Sequence, residues 1–168
     1  MYSHLTRSAL LLALMVVFQS IRLVIPVPPF LSMFVIGSAV NACLLLAVEM
    51  ISWQAALVLA IAAPVVAALQ QVLPSPVFII PVAAANMIYV FLYATLLKTN
   101  RWLAVGGAAL FKVLGLYLTI SLVLQFMQLP EKLAAVLKMM FSYPQFITGV
   151  LGGIVCYLLI RKLGKTQK

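Results

Sequence analysis

Residues 60–68 read AIAAPVVAA and residues 44–47 read LLLA, so both stretches are apolar on every face. Strands of a membrane barrel alternate apolar and polar residues, and these stretches do not alternate. Lipid cannot hydrogen-bond a backbone, so a chain that spans a membrane must be helical or a closed barrel. The two stretches therefore indicate helices.

The composition extends this interpretation to the whole chain. Of its 168 residues, 66% are hydrophobic and 8% are charged, whereas soluble domains have about 45–50% apolar and ~25% charged residues. A soluble fold of this length cannot bury that much apolar surface, so the excess must face a lipid bilayer. The formal charge of +9 does not indicate a nucleic-acid partner, because the basic residues mostly lie at the ends of apolar runs, as in membrane proteins.

Six segments are long enough to cross a bilayer, which takes about 20 apolar residues. We therefore predict an all-α integral membrane bundle of six transmembrane helices that forms one domain over residues 1–168. The segments cover residues 5–25, 31–50, 53–72, 77–97, 103–127 and 142–161. The longest connection, residues 128–143, has apolar residues at helical spacing opposite Lys132 and Lys138, which predicts a short amphipathic helix on the membrane surface.

The distribution of basic residues predicts the orientation. If the N-terminus is inside, seven basic residues fall on the inner side, and they are Arg7, Lys98, Arg101, Arg161, Lys162, Lys165 and Lys168. The outer side then has Lys132 and Lys138, with Arg22 near it. Because cytoplasmic loops carry the excess of Lys and Arg, both termini are expected in the cytoplasm.

Two polar residues lie deep inside the predicted helices. Lys112 is about 13 Å from the inner end of the fifth segment. An intramembrane lysine faces a polar cavity or a partner, or its long side chain snorkels to the surface. Asn86 lies in the middle of the fourth segment, with Tyr89 on the same face, and its amide needs a hydrogen-bond partner. That partner is either a ligand or Asn41 of the second segment, and the sequence leaves these alternatives open.

Further polar residues gather near the outer ends of the helices. Gln70 and Gln71 end the third segment, and Gln125, Tyr143 and Gln145 lie near the outer ends of the last two. Each of them alone is typical of a membrane interface. Together with Asn86, Tyr89 and Lys112, they predict a ligand pocket that opens to the outside.

Small residues spaced four apart let helices approach closely. Ala9 and Ala13 form such a pair on the first segment, either for a partner protein or for packing within the chain. Gly149 and Gly153, with Gly152 beside them, form a similar pair on the last segment, where internal packing is the favoured interpretation.

Few residues are suited to catalysis. Glu49 and Glu131 are the only acids and His4 is the only histidine, so the clustered ligands of a metal site are not available. The chain has no P-loop for ATP. We therefore expect neither an enzyme nor a cofactor. The predicted pocket can belong either to a subunit that binds a ligand for a larger transporter or to a stand-alone small-molecule channel or secondary carrier.

Three stretches give the chain a resemblance to the substrate-binding (S) components of energy-coupling factor (ECF) transporters. They are residues 7–14 (RSALLLAL), residues 79–86 (IIPVAAAN), and residues 143–162, which run from YPQ through three glycines to the basic pair RK. The resemblance covers nearly the whole chain. It implies a subunit for vitamin uptake in the plasma membrane of a bacterium or archaeon.

The resemblance also implies partners and sites. Such a subunit binds a small water-soluble vitamin or cofactor precursor from outside and passes it to a transmembrane coupling subunit, which two cytoplasmic ATPases drive. The Ala9 and Ala13 face corresponds to the docking surface for the coupling subunit. The loop from Pro26 to Phe30 and helices four to six correspond to the pocket, which adds Phe30 to the candidate ligand-binding residues. The identity of the vitamin is left open.

Overall fold

The computed structural model describes residues 2–25, 28–127 and 130–166, and over these ranges the chain is all-helical. The helices are α1 (Tyr2–Val24), α2 (Pro29–Met50), α3 (Trp53–Leu69), α4 (Ile79–Leu96), α5 (Arg101–Met127), α6 (Glu131–Met140) and α7 (Tyr143–Thr166). A short 3-10 turn, Pro76–Phe78, leads into α4. Each of the six segments predicted from the sequence overlaps one apolar helix, although α3 ends at Leu69, earlier than predicted, and α7 extends to Thr166. The amphipathic connection forms α6.

Within the described residues, five helices are long and apolar enough to cross a membrane, which is consistent with a multi-pass membrane protein. The remaining apolar helix, α3, has 17 residues, or about 25 Å of helical rise. Its length is below the usual span of about 20 residues. Six membrane crossings therefore remain a prediction, because α3 is shorter than a usual transmembrane helix.

Consecutive long helices run in opposite directions. We call the end that contains the first turns of α1 and the last turns of α7 the near end, and the opposite end the far end. At the near end, Arg7 of α1 donates to the carbonyl of Met50 of α2, with 3.4 Å between Nη1 and O.

The first helix is the least buried of the long ones. Among the side chains of α1 that the structure describes, only Met15 and Gln19 are buried. The helix packs against α2 and α3. Ala9 and Ala13 are both exposed, so their small side chains are not used for close packing within the described chain.

Small residues allow α7 to pack closely against α2 and α5, as membrane helices do when lipid gives them no hydrophobic reason to associate. A Cβ atom added at Gly152 would lie 2.6 Å from Cβ of Asn41 on α2. One added at Gly149 would lie 3.0 Å from Cβ of Ala109 on α5. Internal packing of the glycines, which the sequence favoured, is confirmed.

A group of paired polar side chains joins four helices at the near end. Glu49 of α2 accepts two hydrogen bonds from the guanidinium of Arg101 on α5, at 2.7 and 2.9 Å. The hydroxyl of Tyr93 on α4 donates to the same carboxylate at 2.7 Å, and the thiol of Cys156 on α7 lies 3.6 Å away. Because Glu49 is only 8% exposed, these partners are needed to satisfy its charge.

Candidate ligand-binding cavity

A cavity of about 520 Å³ lies at the far end of the bundle. Its walls come from the second half of α1, the first half of α2, the second half of α3, the first half of α4, the middle of α5, and the residues around the start of α7. Leu23, Gln71 and Met140 line the cavity and are exposed, so they mark its mouth. A volume of this size suits one small organic molecule.

Lys112 lies at the buried base of the cavity, where it is 3% exposed. Its ammonium donates to Oδ1 of Asn41 on α2 at 2.6 Å. The same ammonium lies 4.9 Å from the centroid of the Tyr89 ring, a cation–π distance. Lys112 therefore points into the protein and does not snorkel.

Asn41 connects Lys112 to the last helix. Its amide nitrogen donates to the hydroxyl of Thr148 on α7 at 3.3 Å, and that hydroxyl donates to the carbonyl of Gln145 at 3.1 Å. From the sequence, we considered Asn41 only as a hydrogen-bond partner of Asn86. The structure instead uses Asn41 to hold the buried ammonium, and Gln145 lines the cavity beside this network.

Asn86 lines the cavity from α4, and a proline in α3 explains its position. Pro64 lies inside α3 and has no N–H, so the carbonyl of Ala60, four residues earlier, loses its usual helical donor. The amide nitrogen of Asn86 donates to that carbonyl at 3.4 Å. The Asn86–Asn41 bond considered from the sequence is therefore not formed.

Tyr89 lies behind the cavity and is fully buried. Its hydroxyl donates to the carbonyl of Gly149 at 2.6 Å. Its ring faces the Lys112 ammonium, so it supports the base of the cavity without lining it. Its assignment as a ligand contact stays a prediction.

The cavity lining does not include Phe30, Gln125 or Tyr143, three other candidates from the sequence. Phe30 is 58% exposed and packs edge-to-face on Phe34, with 4.8 Å between ring centroids. Gln125 and Tyr143 are exposed. Their roles in binding stay predictions that the cavity does not support, and Pro26 and Val27 of the implied loop lie outside the described residues.

Two polar residues of α1 line the cavity and were not among the candidates. Gln19 and Arg22 are three residues apart and share one face of the helix. The amide nitrogen of Gln19 donates to the carbonyl of Ala63 on α3 at 3.0 Å. Their spacing within an apolar segment is a signal that could have identified them, since polar residues in membrane helices usually face a protein interior.

The end of α3 places two glutamines at the mouth. Gln71 has a φ of 57°, and the amides of Gln71 and Val72 donate to the carbonyls of Ala68 and Ala67 at 2.9 Å each. This is the hydrogen-bond pattern of a helix that ends in a left-handed residue. The turn leaves Gln70 and Gln71 lining the cavity, as the sequence anticipated for a pocket at the outer ends.

Comparisons with models of protein families, with curated proteins and with solved structures find no match to this chain. The arrangement itself is a largely apolar cavity with a few polar groups, within an all-helical bundle. It presents an ammonium, a guanidinium and several carboxamides to one space. Such a site can bind and orient a small polar molecule.

Proposed function

We propose that the chain is the substrate-binding membrane subunit of an energy-coupling factor transporter. It takes a small water-soluble vitamin or cofactor precursor from outside, and partner subunits use ATP to complete the import. The observation that carries the proposal is the far-end cavity with Lys112 at its base. A buried ammonium in a membrane bundle is costly and marks a functional site.

The near end supports a binding subunit over a channel or a stand-alone carrier. Glu49, Arg101 and Tyr93 tie α2, α4 and α5 together there through hydrogen bonds of 2.7–2.9 Å. A channel needs a continuous path for its solute, and this paired group lies across the end opposite the mouth. Release of a bound molecule to the near side therefore requires a rearrangement, which partner subunits would drive.

The orientation belongs to the same proposal. Because most basic residues lie at the near end, we place that end in the cytoplasm and the mouth outside. In a variant without Cys43 and Cys156, which are both buried, Ser75→Cys should react with a membrane-impermeant maleimide added outside intact cells. Thr166→Cys should react only after the cells are opened. Labelling of position 166 but not of position 75 in intact cells would show that the orientation is the opposite of the proposed one.

The exposure of Ala9 and Ala13 on α1 favours the idea that this face contacts a partner protein. Replacing Ala9 or Ala13 by tryptophan should reduce co-purification of the coupling subunit and ATPases by roughly tenfold, because overpacking a helix contact costs about 1–3 kcal/mol. Small-molecule binding by the isolated chain should not change, since neither residue lines the cavity.

Leu118→Trp serves as the matched control for this experiment. Leu118 is exposed on α5 at 62%, so the same bulky ring is added to a different lipid-facing surface. If Ala9→Trp and Ala13→Trp co-purify as much coupling subunit as Leu118→Trp does, the docking role of this face is wrong.

A further inference from the structure

The mouth of the cavity contains carboxamide oxygens that no described residue satisfies. Gln19 is 5% exposed and its amide nitrogen donates to Ala63. Gln70 donates its amide nitrogen to the hydroxyl of Ser20 at 3.0 Å. These bonds fix both amides so that the oxygens remain as acceptors, and both oxygens are buried without a donor among the described residues. Such atoms are rare because an unsatisfied acceptor costs free energy.

Arg22 adds a donor without an acceptor at the same mouth. Its Nε atom is buried and has no hydrogen-bond partner in the described part of the chain. It lies on the same helix face as Gln19, three residues along. A guanidinium N–H forms an especially strong hydrogen bond with a negatively charged acceptor.

The charges of the cavity do not balance. Lys112 and Arg22 both line it. The chain has only two acidic residues: Glu49 is paired with Arg101 at the near end, and Glu131 does not line the cavity. The cavity therefore has two cations and no acidic side chain, and the buried ammonium of Lys112 has no counter-charge, which is unfavourable.

We propose that the molecule bound here is a small organic anion that also carries N–H or O–H donors, with its negative group at Arg22 or Lys112 and its donors at Gln19 and Gln70. This inference rests on the proposed function and names the class of its substrate. Such a molecule has a complementary group for each unsatisfied group of the cavity: a negative charge for the cations, and hydrogen-bond donors for the carboxamide oxygens. A carboxylic acid with amide or ring N–H groups has this combination.

The test uses the purified chain in nanodiscs of phosphatidylcholine, so that no anionic lipid headgroup competes for the site. The probe is an aqueous metabolite extract of bacterial cells, and mass spectrometry identifies the compounds that the protein retains. We expect retained compounds to be acids with N–H or O–H donors. Arg22→Met should reduce their retention about tenfold to hundredfold, as loss of a hydrogen bond to a charged group implies.

Two matched controls separate binding from structure. Arg7→Met makes the same change at the near end of α1, and Gln54→Leu is the control for Gln70→Leu because Gln54 is exposed on α3. Gln70→Leu should lower retention of donor-bearing acids, and neither control should. Retention of neutral or cationic compounds, or unchanged retention by both Arg22→Met and Lys112→Met, would overturn the anion inference and leave the proposed function standing. If the wild-type chain retains nothing, the proposed function itself fails.

Discussion

Lys112→Met should weaken small-molecule binding by about tenfold or more while the protein stays folded. The ammonium is the deepest charge in the cavity, and losing a hydrogen bond between a charged group and a ligand costs about 1.5–3 kcal/mol. Stability should not fall in parallel. An ammonium without a counter-charge is costly to bury, and an apolar residue of similar length removes that cost, although Asn41 loses one of its partners.

Binding and stability are measured on the same samples. Retention of compounds from the metabolite extract reports binding, and thermal unfolding reports stability. Lys98→Met is the matched control, because Lys98 is exposed near the end of α4. A purely structural role for Lys112, as the partner of Asn41, predicts a lower Tm with unchanged retention. That outcome would remove Lys112 from the binding site.

Gly152→Ala should destabilise the bundle by about 1–3 kcal/mol, the usual cost of overpacking. The added Cβ would lie 3.0 Å from the backbone nitrogen of Ala42 and 3.0 Å from the carbonyl oxygen of Ser38. Backbone atoms cannot rotate away as a side chain can, so α2 and α7 must separate. The expected fall in Tm is roughly 2–12 °C.

The same substitution should also weaken binding, because Cβ of Asn41 lies 2.6 Å from the added atom and Asn41 holds Lys112. Gly106→Ala is the control, since nothing lies within 4 Å of its added Cβ. Alanine is favoured over glycine inside a helix, so this variant should gain about 0.5–1 kcal/mol. Equal Tm values for the two variants would show that the close approach of α2 and α7 is not structurally important.

The helices were predictable because a membrane helix is a local property of its own residues. Twenty or so apolar residues bounded by prolines or charges define a segment wherever its neighbours lie. The depth of Lys112 followed for the same reason, since rise per residue is constant in a helix. The amphipathic α6 was predictable because its lysines and apolar residues alternate at helical spacing.

Contacts between helices were less predictable. A membrane helix is apolar on its lipid-facing side and on its core-facing side, so hydrophobicity does not fix its rotation. We selected Gln125 and Tyr143 as candidate ligand-binding residues because of their position near the outer helix ends. In the structure both are exposed and neither lines the cavity. The partner of Asn86 depends on the carbonyl that Pro64 frees on a different helix, which no pattern within α4 indicates.

Uptake by reconstituted vesicles tests the central claim most directly. Vesicles that contain the chain alone, and vesicles that also contain the proposed coupling subunit and ATPases with ATP, are incubated with the metabolite extract, and their contents are analysed by mass spectrometry. We expect the compounds retained by the isolated chain to accumulate only in the complete, ATP-supplied vesicles. Accumulation of those compounds by the chain alone would contradict this expectation and identify a stand-alone channel or carrier.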